Sequence, residues 1–267
     1  MRIRHLVLVA VAIAAAACQT VQTTQPGAVG VQRKQHMLVS EADVEKGAQV
    51  AYQQELDKAR KEGGLNVDKK SYQRVQQIAN RLIPQTAVFR PDATQWQWEV
   101  NVQTTQDVNA YCMPGGKIMV YTGLIDQLHA TDAELAAVIG HEIAHALREH
   151  SRERMSRAYA EQLALAGLAV ATGAGEGTMQ LASQVAAVTF TLPHSREQEA
   201  EADRIGLELM ARAGYDPNAA VVLWEKMGKL GGGGPEFLST HPSSESRIRD
   251  LQASVPKVIG LYQQAKQ

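Results

Sequence analysis

The chain has 267 residues, and its 27 lysine and arginine residues against 28 aspartate and glutamate residues give a formal net charge of −1. That balance excludes a strongly basic nucleic-acid-binding protein, and two cysteines are too few for a disulfide-stapled scaffold. Hydrophobic residues make up 45% of the chain but aromatic residues only 5%, so alanine carries much of the apolar content and favours helices. The length suits one domain or two small ones.

The N-terminus has the pattern of a bacterial secretion signal. Two arginines precede an apolar run over residues 6–17, which is shorter than the about 20 residues that a membrane-spanning helix needs. Small residues before Cys18 resemble a lipoprotein cleavage site, which predicts removal of residues 1–17 and lipidation of Cys18; ordinary signal cleavage without lipidation is the alternative. Gln19 resembles an outer-membrane sorting position, and residues 18–39, which lack any period, are expected to be a membrane tether on the periplasmic face.

The remaining chain predicts one domain over residues 40–267. Ser40 is a typical helix N-cap, and a Pro-Gly-Gly turn at 114–116 predicts a hairpin. Everything after Thr131 is predicted as helix and loop, so the expected fold class is α+β, mainly α, with a small antiparallel sheet. The first predicted helices span about 40–61 and 69–83, and the predicted strands lie near 96–102, 108–113 and 117–121.

A five-residue motif on the next predicted helix carries the chemistry. Thr131 and Glu134 form a capping-box pattern, and the helix continues into His141-Glu142-x-x-His145. Histidines four apart share a helix face, so both imidazoles can reach one metal ion, and zinc accepts such nitrogens while keeping a position open. Glu142 then lies beside that position, where it can act as a general base. The surrounding stretch is apolar nearly all round, which predicts a buried helix on which unpaired histidines would be costly.

A third ligand is expected from the acidic segment 195–203. A helical turn of about 100° per residue places Glu199 and Asp203 on one buried stripe. Glu199 is the better predicted ligand and Asp203 the better predicted partner of a ligand histidine, with a cap or a salt bridge as the alternative role for Asp203. The opposite face is predicted to be solvated and to form ion pairs; it carries Glu197, Glu201, Arg204, Glu208 and Arg212.

His141-Glu142-x-x-His145 followed by Glu199-x-x-x-Asp203 resembles the gluzincin family of zinc peptidases, which includes the CAAX prenyl endopeptidases, the heat-shock protease HtpX and the mitochondrial Oma-type protease. The resemblance covers residues 40–253 and is strongest to short bacterial lipoprotein members such as LoiP and to the protease domain of BepA. It implies a zincin-like fold and one zinc ion per chain. It also implies that Glu199 is the third zinc ligand beside His141 and His145.

The same resemblance assigns further residues. Matching positions are Asn109-Ala110-Tyr111, Pro114-Gly115-Gly116, Tyr121-Thr122-Gly123-Leu124, His241-Pro242 and Arg247-Ile248. In this family an edge strand faces the motif helix across the cleft, so Asn109, Ala110 and Tyr111 are expected to bind an extended substrate. His241 is expected at the active site, either as a hydrogen-bond donor to the tetrahedral intermediate or at the open zinc position; a loop histidine without a role is the alternative. Arg247 is expected to fix this loop or to meet a substrate carbonyl, with a structural salt bridge equally open.

Several remaining features are predicted to be structural. His150 is expected to be a buried or capping histidine on the face that points away from the metal, and His194 to serve local structure rather than as a ligand. Residues 163–177 are expected to pack as a helix, with an active-site lid as the alternative, and the glycines at 231–234 are expected to form a hinge before His241.

The predicted function is a zinc-dependent endopeptidase of the bacterial periplasm. Its expected substrates are unfolded or misassembled envelope proteins, chiefly unfolded outer-membrane proteins, and the outer-membrane assembly machinery is a candidate partner through the family resemblance. A periplasmic chaperone-like factor with a latent protease site is the alternative. A structural zinc protein is disfavoured, because such sites usually have four protein ligands, often thiolates, whereas Glu142 is intact and no cysteine lies near the motif. It stays an alternative for a site that His241 always closes, which activity data would decide.

Overall fold

The computed structural model describes residues 19–166, 178–229, 236–241 and 245–267. The predicted signal peptide 1–17, the lipidation site Cys18, most of the segment 163–177 and the glycines at 231–234 lie outside the described residues. Within the described ranges, no helix is both long and apolar enough to cross a membrane.

Helices dominate the described chain, which confirms the mainly helical class. They are α1 Glu41–Lys61, α2 Lys69–Leu82, α3 Thr122–Gln127, α4 Asp132–Leu147, α5 His150–Ala166, α6 Thr178–Phe190, α7 Arg196–Arg212, α8 Asn218–Met227, α9 Glu236–Thr240 and α10 Glu245–Ala265, with 3-10 turns at Ile83–Val88 and Pro91–Gln95. Ser40, Thr131 and Ser195 each accept a hydrogen bond from a backbone N–H three residues on, which fixes where α1, α4 and α7 begin. Glu134 and Gln198 complete capping boxes on α4 and α7.

The strands form two small sheets. They are β1 Gln19–Val21, β2 Gln35–Met37, β3 Glu99–Gln103, β4 Ala110–Met113 and β5 Lys117–Tyr121. In the larger sheet the order is β3-β5-β4, and the β4–β5 hairpin is antiparallel as predicted. The prediction of a small antiparallel sheet is wrong for β3, which pairs with β5 in parallel. After β3 the chain first forms β4 at the far edge of the sheet, and β5 then folds back between β3 and β4. The alternation of apolar and polar residues along a strand does not indicate which strand it pairs with.

The turn of the hairpin requires glycine. Gly115 and Gly116 have φ angles of 76° and 82°, a region that favours glycine. A Cβ atom on Gly116 would also lie 2.7 Å from the Trp98 ring. The turn therefore holds β4 in register with β5 and places its outer edge beside α4.

Two glycines bring α4 and α7 into backbone contact. A Cβ atom on Gly206 would lie 2.7 Å from the backbone nitrogen of His141, and one on Gly140 would lie 3.0 Å from the carbonyl oxygen of Gly206. Both helices are buried along most of their length and belong to the main hydrophobic core. This close crossing carries the acidic stripe of α7 directly to the histidine motif of α4.

The N-terminal segment 19–37 differs from the tether expected over residues 18–39. β1 and β2 pair with each other, and between them Val29 and Val31 join the main core with 4% and 3% of their surface exposed. The backbone N–H of Val29 donates to the carboxylate of Glu208 on α7 at 3.0 Å. A segment without regular secondary structure can bury side chains against a folded surface without any periodic spacing of its hydrophobic residues. The packing of this segment could therefore not be predicted from its sequence.

Candidate active site

The buried face of α4 presents His141 and His145 side by side. Their Nε2 atoms lie 3.0 Å apart, as residues one helical turn apart allow. His141 is 3% and His145 5% exposed. Burial lowers the pKa of His145 well below its ordinary value, because desolvation disfavours the charged imidazolium. His145 therefore carries a neutral ring with a lone pair available to a metal ion.

Glu199 of α7 and His241 complete a four-residue group. The carboxylate oxygens of Glu199 lie 3.4 Å from Nε2 of His145 and 3.6 Å from Nε2 of His141. Nδ1 of His241 lies 3.0 Å from Glu199 and 3.3 Å from Nε2 of His141. One ligand atom from each of the four residues falls within 4.8 Å of the others, and all four residues are buried. The structure thus brings together the three predicted ligands and His241.

This donor set fits a zinc ion. The Nε2 atoms of two buried imidazoles face each other at 3.0 Å beside a carboxylate, an arrangement of acceptors that is stable only around a cation or a shared proton. Imidazole nitrogen and carboxylate oxygen are ligands that zinc takes in catalytic sites. His141, His145 and Glu199 would hold the ion, and His241 offers a fourth donor atom.

Asp203 and Arg247 contact the donor residues His141 and Glu199 and hold them in place. Oδ1 of Asp203 lies 3.0 Å from Nδ1 of His141, the nitrogen opposite the predicted metal side. Arg247 binds Asp203 through two hydrogen bonds of 2.7 Å and reaches Glu199 with its third nitrogen at 2.5 Å. Burial would raise the pKa of Glu199, but electrostatic interactions with His241 and Arg247 outweigh it and hold that pKa well below its ordinary value. The salt bridge left open for Arg247 by the sequence is therefore present.

Glu142 lies beside the donor group and lines the adjoining cleft. Its side chain is buried, and Oε1 has no hydrogen-bond partner among the described residues; the nearest base, Nε2 of His241, is 3.5 Å away. Burial raises the pKa of Glu142, chiefly through desolvation of its carboxylate. A carboxylate with a raised pKa and a free oxygen beside a cleft is suited to accept a proton.

The cleft next to Glu142 and His145 spans about 430 Å³, a volume that includes open solvent at its mouth. The predicted substrate-binding residues Asn109, Ala110 and Tyr111 line one wall. Within the described sheet β4 is an edge strand, so this wall presents a strand edge. Ser151, Arg154, Phe190 and His194 also line the cleft.

His150 is buried as predicted, but it does not point away from the site. Its Nδ1 lies 2.8 Å from Nδ1 of His145, and its Nε2 lies 3.0 Å from Glu201. The prediction extended the phase of α4 through residue 150, whereas Glu149 has a φ of 51° and breaks the helix before α5 begins. His194, which was predicted to serve local structure rather than as a ligand, lies beside the site: its ring centroid is 3.8 Å from that of His145.

The face of α7 that was predicted to be solvated is partly covered. Glu201 is 6% exposed and Glu208 is fully buried, because residues 19–37 lie across them. Arg33 of that segment binds Glu201 at 2.7 Å, and Arg212 binds Glu208 one turn along the helix. Of the predicted pairs, Glu208–Arg212 is confirmed, whereas Glu201 pairs with residues outside α7 in a buried setting that the sequence of α7 alone does not reveal.

Comparison with known proteins agrees with this geometry. A family model described as Peptidase family M48 matches residues 69–255. The mitochondrial metalloendopeptidase OMA1 of Arabidopsis thaliana is 44% identical over 163 residues, which cover 59% of this chain and 32% of the relative. The metalloprotease YcaL of Escherichia coli is 32% identical over 158 residues, covering 57% and 61%, respectively. The beta-barrel assembly-enhancing protease of the same bacterium is 32% identical over 160 residues, covering 55% and 32%. The chain spans about a third to three fifths of the length of these relatives.

Proposed function

Because the chain belongs to peptidase family M48, we propose that it is a zinc metalloendopeptidase in which His141, His145 and Glu199 hold the zinc ion. The observation that carries this proposal is the convergence of these donors within 4.8 Å beside a cleft lined by Glu142. The family match confirms the resemblance drawn from the motifs, whereas the closer likeness to LoiP stays a prediction.

The roles of the chain's own residues follow from their positions. Bound zinc supplies a Lewis acid that polarises the scissile carbonyl and makes water more acidic. Glu142 takes the proton of the attacking water and passes it to the leaving amine. His241, whose Nε2 lies 3.5 Å from Glu142, donates a hydrogen bond to the developing oxyanion. Arg247 acts indirectly, by holding Asp203 and Glu199 in place.

The substrate is proposed to be an extended polypeptide. Asn109, Ala110 and Tyr111 lie on the edge of the described sheet and line the cleft, so a substrate can add to this edge by main-chain hydrogen bonds. Such binding is largely independent of side chains. It suits unfolded or misassembled proteins better than one fixed sequence.

The cellular setting is proposed from the N-terminal pattern and one relative. The signal-like residues 1–17 and Cys18 favour a lipoprotein on the periplasmic face of the outer membrane. A relative named for enhancing beta-barrel assembly supports unfolded outer-membrane proteins as substrates and the assembly machinery as a partner. The near-neutral chain gives no support for a nucleic-acid partner.

A second candidate function rests on His241. Its Nδ1 belongs to the same group of donor atoms as the three proposed ligands. Four protein donors are typical of a closed site, so this arrangement supports a resting form in which proteolysis is latent and the protein binds unfolded chains as a chaperone does. Displacement of His241 then opens the site.

One experiment tests the first function against the second. The full chain is incubated with unfolded outer-membrane proteins, with and without a chelator, and fragments are read by mass spectrometry. Glu142→Gln is expected to retain one zinc ion and to lose at least about 100-fold in cleavage rate, because proton transfer typically contributes about 10²–10⁴-fold. Glu197→Gln, which changes an exposed glutamate on α7, is the matched control and keeps full activity. Undiminished cleavage by Glu142→Gln refutes the mechanism; suppression of aggregation without cleavage by the wild type supports the chaperone.

A further inference from the structure

The ring of His145 makes two different contacts through its two nitrogens. Nε2 faces His141 and Glu199, at 3.0 Å and 3.4 Å. Nδ1 faces the other way and lies 2.8 Å from Nδ1 of His150, whose Nε2 lies 3.0 Å from Glu201. A line of hydrogen bonds therefore runs from Glu201 through His150 to the proposed metal ligand.

The carboxylate of Glu201 at the end of this line determines which group donates and which accepts in each hydrogen bond. A carboxylate only accepts, so Nε2 of His150 must donate to Glu201. A neutral His150 then has a lone pair on Nδ1, which accepts from the Nδ1–H of His145. This assigns the proton of His145 to Nδ1 and leaves the lone pair on Nε2, where a metal ion would bind.

Glu201 is held in place by two arginines. Arg33 binds both of its oxygens, at 2.7 Å and 3.1 Å, and Arg148 binds it at 3.1 Å. Arg33 also binds both oxygens of Glu153. Two glutamates and two arginines thus balance their charges in a group, here named the arginine–glutamate network, that consists of Arg33, Arg148, Glu153 and Glu201.

Arg33 belongs to the N-terminal segment 19–37, whereas the family match begins at residue 69. Its side chain is 29% exposed, and those of Glu153 and Glu201 are 6% and 8% exposed. A segment outside the matched region therefore supplies a charge to the network that ends at His145.

We propose that His150 is a positioning residue that fixes the ring orientation and tautomer of His145, and that the segment 19–37 supports it through Arg33 and Glu201. The proposal rests on the proposed metal site, because its effect is on a metal ligand. Outer partners of ligand histidines commonly change metal affinity about 10–100-fold when they are lost. The arrangement makes the N-terminal segment part of the metal site without contact to the metal.

The test compares two buried glutamates on the same face of α7. Glu201→Gln removes the charge at the end of the hydrogen-bond line, whereas Glu208→Gln removes a fully buried charge that contacts Val29 and Arg212. Zinc affinity is measured by competition with a chromophoric chelator. Glu201→Gln and His150→Ala are expected to weaken zinc binding about 10-fold or more, and Glu208→Gln to leave it within about twofold.

A second pair of variants changes residues of the N-terminal segment 19–37, where a substitution perturbs the hydrophobic core less. Arg33→Gln is expected to weaken zinc binding about threefold to tenfold, since Arg148 still holds Glu201, whereas His36→Gln changes an exposed residue of the same segment and has no effect. Equal zinc affinities for the two members of either pair would overturn the proposal.

The histidine tautomer gives a readout that needs neither metal nor activity. In metal-free wild-type protein, ¹H–¹⁵N spectra of the imidazoles are expected to show the proton of His145 on Nδ1, and this preference is lost in His150→Ala. A proton on Nε2 in the wild type contradicts the inference even if peptidase activity is present. Conversely, the expected tautomer in a protein that cleaves nothing supports the inference while the proposed function fails. Binding of a second zinc ion by His145, His150 and His194, which also form a ligand-like group, would overturn the hydrogen-bond assignment.

Discussion

Two buried polar clusters lie on either side of His145, and they differ in how completely their groups are paired. In the arginine–glutamate network each charged side chain contacts an opposite charge, and Gln35 and Gln198 bind Glu153 as well. Along the cleft, single atoms of four residues have no hydrogen-bond partner among the described residues; they belong to Tyr111, Glu142, Arg154 and His194. Unpaired buried polar groups cost stability, so their concentration at one place indicates that this place serves a ligand rather than the fold.

The largest expected effect is a difference in unfolding free energy between substitutions of two arginines, one from each cluster. Arg148 is fully buried and binds Glu201 at 3.1 Å and the carbonyl of Arg33 at 2.9 Å. Arg148→Met should lower the free energy of unfolding by about 3–5 kcal/mol, because it leaves a buried carboxylate short of a partner. Denaturant unfolding of the metal-free protein measures this.

Arg154 provides the comparison. It is also buried, but among the described residues its only hydrogen bond is to the carbonyl of Leu192 at 2.6 Å, and burial lowers its pKa to about 10. Arg154→Met should leave the free energy of unfolding within about 1 kcal/mol of wild type, or raise it, since no ion pair is broken. Its effect should instead be on cleavage, because Arg154 lines the cleft. Equal destabilisation by the two substitutions would remove the distinction between the clusters.

The sequence could predict the proposed metal ligands on one side of His145 but not the arginine–glutamate network on the other. Helical spacing and resemblance together indicated His141, His145 and Glu199, because both their residue types and their intervals are set by metal coordination. The arginine–glutamate network depends on segment 19–37, whose contacts are made across long sequence separations and follow no period. The position of His150 depended on a single backbone break at Glu149, which helical phase does not reveal.

The next effect is acid sensitivity of the network. Burial would raise the pKa of Glu153, but hydrogen bonds from Arg33, Gln198 and Gln35 outweigh it and lower that pKa to about 2. A carboxylate with a lowered folded-state pKa stabilises the protein above its unfolded pKa of about 4.3, and this contribution is lost as the pH falls toward 2. The loss is at most about 3 kcal/mol, reduced by solvent around the partly exposed Arg33.

Unfolding free energies measured from pH 6 to pH 2 check this expectation. The difference between wild type and Glu153→Gln should be largest near pH 6 and should become small near pH 2, where about half of the wild-type carboxyl is protonated. Glu197→Gln controls for the loss of one exposed carboxylate. A difference that stays constant across this range would show that the charge of Glu153 does not contribute.

The smallest expected effect separates two tyrosines whose ring centroids lie 6.3 Å apart. The hydroxyl of Tyr52 donates to the carbonyl of Ile118 at 2.5 Å and accepts from Asn101 at 3.0 Å, whereas the hydroxyl of Tyr111 has no partner among the described residues. Tyr52→Phe should cost about 1–2 kcal/mol of unfolding free energy, because it leaves buried polar groups unpaired. Tyr111→Phe should change it by less than about 0.5 kcal/mol, because no hydrogen bond is lost.

The effects on KM should have the opposite order, with Tyr111→Phe affected more than Tyr52→Phe. Tyr111 lines the cleft, and its unpaired hydroxyl is buried beside it. We expect an entering substrate to uncover this hydroxyl and bind it through the main chain, and loss of one such hydrogen bond corresponds to about a twofold to tenfold rise in KM. Tyr52 does not line the cleft, so Tyr52→Phe should leave KM unchanged at a temperature where both variants are folded. A destabilised Tyr111→Phe with normal KM would mean that this hydroxyl serves the fold after all, and that an unpaired atom beside the cleft does not by itself indicate contact with substrate.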